Sequence, residues 1–449
     1  MKTVSILGGG LVGPLLAILL AKRNIKVNIF EKRADPRTNT LKHGRTVNLA
    51  LSERGWKALK RIGLSDEVRK EAIPMKGRLI HLQNGEEIYQ SYGIGDECIY
   101  SVSRGMLNKI LIENASANPN INIYFGKECN DIFLEDATIQ LLDLQTQEKS
   151  YFTADFVVGA DGISSKIRTA IQEEIGMDFT RTHINYGYKE LTIPANSSSE
   201  WALDKNVLHI WPRGTFMFMA LPNANGSFTG TLYTAYNGDD SFESIKSAES
   251  LKAFFKKYFS DIELLMPLLE EEYFNFPVSS LSAVNCYPWI YKDKAFIIGD
   301  AAHAILPFYG QGMNSGFEDC MVLDELMDEI EDSEELFEVF QKSRKPNTDA
   351  LAKLSYNNFL EMRDHVKNPN FLLRKKIDAF LGEHYADIWT PLYTMVAFRN
   401  IPFEEIFEIS HWQNKVLDRI MEIPDLEDYW QTIDYESMLD EIKEMILDI

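Results

Sequence analysis

The sequence is poor in basic residues: 46 lysines and arginines stand against 67 aspartates and glutamates, and the net charge is −21. Nucleic-acid binding needs clustered positive charge that meets phosphates. This deficit of positive charge argues against a nucleic-acid partner. An excess of negative charge of this size is typical of a soluble protein.

Cysteine is scarce as well, and the four residues Cys98, Cys129, Cys286 and Cys320 are widely spaced. Zinc sites and redox couples use closely spaced pairs, and no Cys-x-x-Cys pair occurs here. Neither kind of site is indicated, and we expect free thiols in a reducing cytoplasm.

Long apolar runs are missing. The longest run near the N-terminus, Leu11 to Ala21, is shorter than the roughly 20 residues that cross a bilayer. No basic stretch followed by a cleavable apolar segment opens the chain. The acidic stretch Asp425 to Ile449 predicts a solvated amphipathic helix and not a membrane anchor. We therefore expect a cytoplasmic protein.

The 449 residues, 45% of them hydrophobic, can form more than one core. The chain opens with a strand over Thr3 to Leu7, a glycine turn, a helix over Leu15 to Arg23 and a strand over Lys26 to Glu31. This alternation predicts a βαβ unit.

Further elements follow from local patterns. A helix is predicted to begin at Ser52, whose hydroxyl can cap free amides, and to end near Gly63. Short apolar strands separated by Pro, Gly and Asn turns predict an antiparallel sheet over 206–234. A predicted strand near 295–298 and a predicted helix from about Ser315 indicate that the chain returns to the first domain and completes it. Beyond Pro346 the sequence predicts helices.

The glycine turn Gly8-Gly9-Gly10-Leu11-Val12-Gly13 follows a strand and opens a helix, the context that gives Gly-x-Gly-x-x-Gly its meaning. Gly8 allows the tight turn, Gly10 lets a pyrophosphate approach the backbone, and Gly13 permits close packing of helix on strand. Glu31 ends the second strand, where a carboxylate accepts hydrogen bonds from an adenosine ribose. The alternative for Glu31 is an ordinary surface position, and the turn alone does not separate NAD from FAD.

Two later segments resemble the motifs of the para-hydroxybenzoate-hydroxylase-like flavin monooxygenases. Residues 157–162, with Asp161 and Gly162, resemble the first motif, and residues 298–304 with Pro307 resemble the second. The resemblance implies that Asp300 contacts the ribityl chain of FAD and that His303 is structural. The helix after Gly312 has amides that can stabilise the flavin N1–C2=O locus, and Met313 and Asn314 match flavin contacts.

Four further segments, 44–52, 188–194, 208–213 and 391–396, resemble the kynurenine 3-monooxygenase family, and the similarity runs from Thr3 to about Trp412. It implies hydroxylation of L-kynurenine to 3-hydroxykynurenine with FAD, NADPH and O₂, through a flavin C4a-hydroperoxide, in tryptophan degradation and NAD biosynthesis. No side chain is expected to be catalytic, because the flavin is the reagent and the protein positions the ring and excludes water. NADPH is expected to reach the flavin without a second Rossmann domain.

The resemblance also implies a substrate site. Arg78 matches a carboxylate-binding arginine whose planar fork suits bidentate pairing, and its alternative is a solvated surface cation. Tyr92, Asn358 and Tyr393 match groups that hold the amino-acid end, although single tyrosines are more often core residues. Phe308 is expected to form the slot for the substrate ring, together with the strand residues Leu208, Ile210, Met217 and Met219. Alternation along the strands leaves open which face meets the substrate and which is simple core.

The implied fold is α/β: a Rossmann-like FAD-binding domain interlocked with a mainly antiparallel β-sheet substrate domain, plus a C-terminal helical region. The predicted domains are 1–75, 101–176 and 285–345 for FAD, 76–100 and 177–284 for substrate, and 346–449 for the helical region. The predicted cofactor-binding residues are Gly8, Gly10, Val12, Gly13, Glu31, Arg33, Ala50, Arg104, Asp161, Asp300, Met313 and Asn314.

Two alternatives remain open. One is a related hydroxylase that acts on another aromatic acid, such as an anthranilate or a salicylate. The other is a non-catalytic flavin-binding redox module that uses the acidic region Glu325 to Glu335 and the acidic tail as partner surfaces, although solvated faces are the simpler interpretation. No metal site and no particular oligomer are indicated.

Overall fold

The computed structural model describes residues 2–38, 47–198, 200–361 and 369–440. Its strands, in chain order, are β1 (Thr3–Leu7), β2 (Lys26–Glu31), β3 (Asn48–Leu51), β4 (Ile73–Met75), β5 (Gly77–His81), β6 (Glu87–Ser91), β7 (Ile99–Ser103), β8 (Ile121–Phe125), β9 (Lys127–Phe133), β10 (Thr138–Asp143), β11 (Lys149–Thr153), β12 (Phe156–Gly159), β13 (Asp178–Ile193), β14 (Val207–Pro212), β15 (Met217–Pro222), β16 (Phe228–Ala235), β17 (Ser279–Tyr287), β18 (Ile290–Tyr291) and β19 (Ala295–Ile297).

The α-helices of the same residues are α1 (Val12–Lys22), α2 (Glu53–Ile62), α3 (Ser65–Arg69), α4 (Arg104–Ser116), α5 (Lys166–Ile175), α6 (Ala248–Tyr258), α7 (Leu269–Asn275), α8 (Asp300–His303), α9 (Gly312–Leu326), α10 (Ser333–Leu360), α11 (Pro369–His384), α12 (Leu392–Phe398), α13 (Phe403–Met421) and α14 (Leu426–Tyr429).

A six-stranded sheet in the order β18-β19-β12-β1-β2-β8 carries the predicted βαβ unit. Its strands are parallel except β18. In register, Leu7 lies beside Gly159 and Gly159 beside Ile297. The glycine turn, Asp161 and Asp300 therefore leave the same carboxyl edge of the sheet, which is where ligands bind in open α/β sheets.

A seven-stranded sheet in the order β17-β13-β16-β15-β14-β5-β6 contains the predicted antiparallel strands, and only β5 and β14 run parallel among its described pairs. Alternation gives β14 two different faces. Leu208 and Ile210 pack in a cluster with Phe308, whereas Trp211 packs in a separate core with residues of α6. The fold class expected from the sequence is confirmed.

Several element boundaries differ from the sequence prediction. Helix α1 begins at Val12 instead of Leu15, and α9 begins at Gly312 instead of Ser315. Because glycine is a weak helix former, local helix propensity does not predict first turns that contain glycine. Tertiary packing stabilises such turns in the folded protein. The prediction that the Ser52 hydroxyl caps α2 was wrong: its Oγ lies 3.1 Å from Gln311 Oε1, and Gly63 ends the helix in the left-handed region as expected.

The C-terminal helices pack on one another, α10 and α11 each against α13. The described part of the acidic tail is amphipathic, because Tyr435 and Leu439 are fully buried in a cluster with Trp389. Residues 441–449 lie outside the described residues, as do residues 44–46 of one family-like segment. No helix in the described ranges is long and apolar enough to span a membrane.

The acidic region Glu325 to Glu335 has partners within the chain. Asp328 pairs with Arg23 at 2.8 Å, Glu325 lies 3.6 Å from Lys57, and Asp332 caps the amide of Glu335 at 2.9 Å. These contacts favour the interpretation of a solvated, internally paired face over a partner surface.

A buried histidine pair joins β5 to β14. His81 Nε2 lies 2.9 Å from His209 Nδ1, the His209 Nε2 atom lies 2.8 Å from the Asp204 carbonyl oxygen, and the His81 ring stacks on Trp211 at 4.2 Å. Burial lowers the pKa of both imidazoles from 6.5 to about 4. Glu87 lies 3.1 Å from His81 Nδ1, but its side chain is largely exposed and its field is screened.

The pair predicts a loss of stability in mild acid. Unfolded histidines take up protons as the pH falls below 6.5, whereas the buried pair does so only near pH 4, so stability is complete above pH 6.5 and is lost between these values. The urea concentration at the midpoint of unfolding should fall more between pH 7 and pH 5 for the wild type than for His209→Asn. His183→Asn, at an exposed position of β13, should keep the wild-type difference, and an equal difference in all three proteins would contradict the assignment.

Candidate active site

A cavity of about 380 Å³ lies between the carboxyl edge of the six-stranded sheet and one face of the seven-stranded sheet. Ten of the predicted site residues line this cavity, in two groups that are far apart in sequence. The cofactor group is Gly10, Val12, Ala50, Arg104, Asp300 and Met313, and the substrate group is Arg78, Tyr92, Phe308 and Tyr393, joined by Gly312 of the α9 turn.

The glycine turn has the geometry of a phosphate cradle. Gly8 has φ of 110°, and a Cβ at Gly8 would collide with the Ala160 carbonyl, whereas a Cβ at Gly13 would collide with the Gly8 carbonyl. At Gly10 a Cβ would meet no described atom within 4 Å. Gly8 and Gly13 are thus needed for the turn itself, and Gly10 leaves space beside the backbone.

Asn108 on α4 holds this turn from behind, and the sequence analysis missed it. Its Nδ2 donates to the carbonyl oxygens of Gly9 at 2.9 Å and Gly10 at 2.7 Å. Leu11 and Val12 at the start of α1 line the cavity, and helix N-termini attract phosphate.

Glu31 lies beside the turn and not in the cavity lining. Its carboxylate accepts hydrogen bonds from the Gly9 amide at 2.7 Å, the Arg33 amide at 2.9 Å and the Arg33 guanidinium at 2.8 Å. Burial raises the pKa of Glu31, but these hydrogen bonds outweigh burial and the pKa falls below its usual range. Glu31 is therefore ionised and Arg33 is tied to it.

Asp300 starts α8 directly after Gly299, whose φ is 62°, and its carboxylate borders the cavity. Gly312 and Met313 at the start of α9 line the same cavity, and a helix leaves its first N–H groups without intrahelical partners. Met313 lines the cavity, but Asn314 does not. The Asn314 side chain accepts from the Ser52 amide at 3.0 Å and donates to the Ala50 carbonyl at 2.8 Å, which fixes β3 against α9.

Asp161 lies next to the cavity behind Gly162 and Ile163. One carboxylate oxygen accepts from the Lys166 amide at 2.6 Å. The other is buried and has no hydrogen-bond partner among the described residues. Burial raises the pKa of this carboxyl above its usual range.

His303 has a structural contact, as expected. Its Nε2 lies 2.6 Å from Asp319 Oδ2, which also accepts from the Gly299 amide at 3.0 Å, and Arg344 Nε pairs with Asp319 Oδ1 at 2.8 Å. Burial raises the pKa of Asp319, but His303 and Arg344 outweigh it and lower the pKa to about 2. The buried carboxylate therefore stays charged and holds the turn that presents Asp300.

Arg78 on β5 faces the opposite end of the cavity between two tyrosines. Its guanidinium lies 5.5 Å from the ring centre of Tyr92 and 4.8 Å from that of Tyr393, and the two rings stack at 4.7 Å. Burial raises the pKa of both tyrosines, so their hydroxyls stay protonated. No carboxylate in the described part of the chain forms an ion pair with Arg78, so a cation faces the cavity without an anionic partner.

The predicted ring slot lies between Arg78 and the glycine turn. Phe308, Leu208, Ile210 and Met219 line it, and Met217 packs in the same cluster beyond the lining. Asn358 does not line the cavity; its Nδ2 donates to the Phe308 carbonyl at 2.8 Å and so supports the loop that carries Phe308.

Sequence reasoning missed several polar residues of the cavity floor. Tyr188 and Glu190 on β13, and Thr231 and Tyr233 on β16, line the cavity, as does Tyr309, which stacks on Tyr393 at 5.8 Å. The sequence feature that could have indicated them is the i, i+2 spacing within each strand. This spacing shows that two residues share a face of the sheet, but it does not show which face is turned toward a ligand.

A family model described as an FAD binding domain matches residues 1–355 of the chain. Proteins named kynurenine 3-monooxygenase are similar over nearly its whole length. That of Christiangramia forsetii is 42% identical over 439 residues, 98% of each chain, and that of Flavobacterium psychrophilum is 43% identical over the same share. That of Anopheles gambiae is 40% identical over 422 residues, 93% of this chain and 86% of the insect protein.

Solved structures with the same fold are more distant in sequence. The tetrameric form of 2-methyl-3-hydroxypyridine-5-carboxylic acid oxygenase superimposes with a TM-score of 0.66 at 21% identity, over 82% of this chain and 94% of the other. PqsL of P. aeruginosa, in complex with 2-aminobenzoylacetate, gives 0.66 at 18% identity, over 81% and 97%. These similarities support the fold.

Proposed function

The chain belongs to the kynurenine 3-monooxygenase family, and from this we propose that its cavity holds L-kynurenine beside FAD for hydroxylation to 3-hydroxykynurenine. The observation that carries the proposal is the guanidinium of Arg78, which has no ion-pair partner among the described residues and lies at one end of an apolar slot whose other end is a dinucleotide turn. A substrate with an α-amino acid at one end and an aromatic ring at the other suits that order of groups.

The residues present fit FAD. The open space at Gly10 leaves room for a pyrophosphate, and Glu31 lies where the adenosine ribose would be held. We propose that Asp300 and the first amides of α9, at Gly312 and Met313, hold the flavin end, with Arg104 and Ala50 beside it. When bound, FAD supplies the oxygen-activating chemistry, with NADPH as the electron donor and O₂ as the oxygen source.

The side chains of the chain bind, orient and exclude water. Arg78 grips the substrate carboxylate with a planar fork, and the protonated hydroxyls of Tyr92 and Tyr393 add hydrogen-bond donors at the same end. Phe308, Leu208 and Ile210 hold the ring in an apolar slot from which water is displaced. Asn314 and Asn358 act indirectly, because their side chains brace β3 and the Phe308 loop.

We propose two broader features. The division into an FAD-binding domain, a substrate domain and a C-terminal helical region follows the two large sheets and α10–α14. A reducing cytoplasm as the working compartment is supported by the four cysteines, which are all free thiols. The non-catalytic module is disfavoured, because an arginine beside an apolar slot and without an ion pair among the described residues has no use in a redox module that takes no substrate. A substrate screen distinguishes kynurenine from another aromatic acid.

The decisive experiment measures two quantities in one preparation of the purified protein with FAD. NADPH oxidation should accelerate on addition of L-kynurenine, and 3-hydroxykynurenine should form in about equal amount. Anthranilate and salicylate serve as controls and should yield no hydroxylated product. Oxidation that yields only hydrogen peroxide with kynurenine, or a faster coupled reaction with a control acid, would overturn the proposal.

A further inference from the structure

The cavity floor is divided into an apolar half and a polar half. Strands β14 and β15 contribute only apolar side chains to the lining, Leu208, Ile210, Met219 and Leu221. The neighbouring strands β16 and β13 contribute Thr231, Tyr233, Tyr188 and Glu190, which we call the polar half. The register places Thr231 beside Glu190 and Tyr233 beside Tyr188, so these four side chains form one continuous patch.

Tyr233 lies at the border of the two halves. Its ring centre is 5.5 Å from that of Phe308 in the ring slot and 5.8 Å from that of Tyr188 in the polar half. Tyr233 is half-buried and lines the cavity, and its hydroxyl forms no hydrogen bond to another described residue. Burial and the nearby Tyr188 and Glu190 raise its pKa, so the hydroxyl stays protonated.

A hydroxyl at the wall of a cavity is hydrogen-bonded by water when the cavity is empty, and displacing that water is costly unless the ligand replaces its hydrogen bond. The ring of L-kynurenine carries one group that reaches this position, the amine. One of its two N–H bonds points to the adjacent ketone oxygen and is satisfied within the molecule. The other points outward, on the side of the carbon that is hydroxylated.

This outward N–H also bears on which carbon reacts. An aromatic amine activates the carbons ortho and para to it, so electronic effects alone do not select the ortho carbon. A group that holds the amine fixes the rotation of the ring within the slot, because Arg78 already holds the other end. Selection between the two carbons then depends on geometry.

We propose that Tyr233 is a specificity-determining residue whose hydroxyl oxygen accepts the outward N–H of the ring amine of the substrate. The inference rests on the proposed function and adds a second anchor to the Arg78 clamp. Tyr188 and Glu190 already have interactions within the protein, and the Thr231 side chain is shorter and deeper. Tyr233 is therefore the hydroxyl of the polar half that reaches the ring slot.

The test compares two ligands in two proteins. Dissociation constants of L-kynurenine, and of its analogue with hydrogen in place of the ring amine, are measured from the change in flavin absorption in wild type and Tyr233→Phe. A single neutral hydrogen bond predicts that the variant weakens kynurenine about fivefold to tenfold and leaves the analogue unchanged. The product of the variant should also contain more of the isomer hydroxylated para to the amine.

Tyr236→Phe is the matched control, since it removes a hydroxyl three residues further along the chain and outside the cavity lining. It should change neither dissociation constant. Equal weakening of both ligands by Tyr233→Phe would show a packing role and overturn the inference. If that variant does not fold, the wild type still decides: equal affinity for kynurenine and its analogue would overturn it, and a preference for kynurenine of about fivefold or more would support it. Formation of 3-hydroxykynurenine by the wild type separates failure of this inference from failure of the proposed function.

Discussion

Replacing Arg78 with alanine is expected to raise the KM for L-kynurenine by at least about 30-fold, because loss of a buried charge pair costs roughly 2–5 kcal/mol. The guanidinium lies between Tyr92 and Tyr393 and faces the cavity without an anionic partner among the described residues. The carboxylate it would bind is far from the reacting ring. Its binding is thus similar in ground and transition states, so kcat should change much less than KM.

Two variants control this experiment. Arg78→Lys keeps the charge but loses the planar fork, so its KM should lie between those of wild type and alanine variant. Arg69 also stacks on two aromatic rings, at 4.4 Å from Trp56 and 5.2 Å from Tyr100, but it lies outside the cavity lining. Arg69→Ala should leave KM unchanged. An unaltered KM in Arg78→Ala would show that Arg78 does not bind the substrate carboxylate.

Replacing Gly10 with valine is expected to weaken FAD binding by at least about 100-fold while leaving the melting temperature of the apoprotein almost unchanged. A Cβ at Gly10 meets no described atom within 4 Å, so the protein tolerates it. The same space is where a pyrophosphate approaches the turn, and loss of close backbone contacts to a charged group costs roughly 1.5–3 kcal/mol for each hydrogen bond. Gly10→Ala should have a smaller effect in the same direction.

Gly13 provides the opposite case within the same turn. A Cβ there would collide with the carbonyl oxygen of Gly8, so Gly13→Ala should lower the melting temperature of the apoprotein. Flavin fluorescence titration and thermal unfolding without FAD separate the two effects. If Gly10→Val destabilises the apoprotein as much as Gly13→Ala does, the open space is not a cofactor site.

Contiguous motifs were predicted well. The glycine turn, the strand before it and the Asp300 turn depend on backbone geometry within a few residues, and the structure places all three at one sheet edge. Arg78 was a different case. From its neighbours alone it resembles a surface cation, and only the resemblance to the family indicated a clamp. The parts of the prediction that fell on residues 39–46, 362–368 and 441–449 lie outside the described residues.

The sequence was less informative about side chains whose role depends on a distant partner. Asn314 and Asn358 were expected to contact ligands, but their amides bond to the backbone at Ala50 and Phe308. Asn108, which was not predicted, supports the glycine turn 98 residues away in the chain. A hydrogen-bonding side chain can satisfy itself on any nearby backbone, and its neighbours in sequence do not reveal which backbone that will be.

By itself, the sequence determined the α/β class and the dinucleotide turn, because both depend on short-range periodicity or on contiguous residues that constrain local backbone geometry, and its motifs indicated the family by resemblance. Only the tertiary structure decided which face of each strand meets the ligand and that Arg78, Tyr393 and Tyr233 border one cavity. Alternation along a strand fixes which residues share a face, but the burial of one face against another element, and thus the location of the cavity, arises from packing between segments hundreds of residues apart.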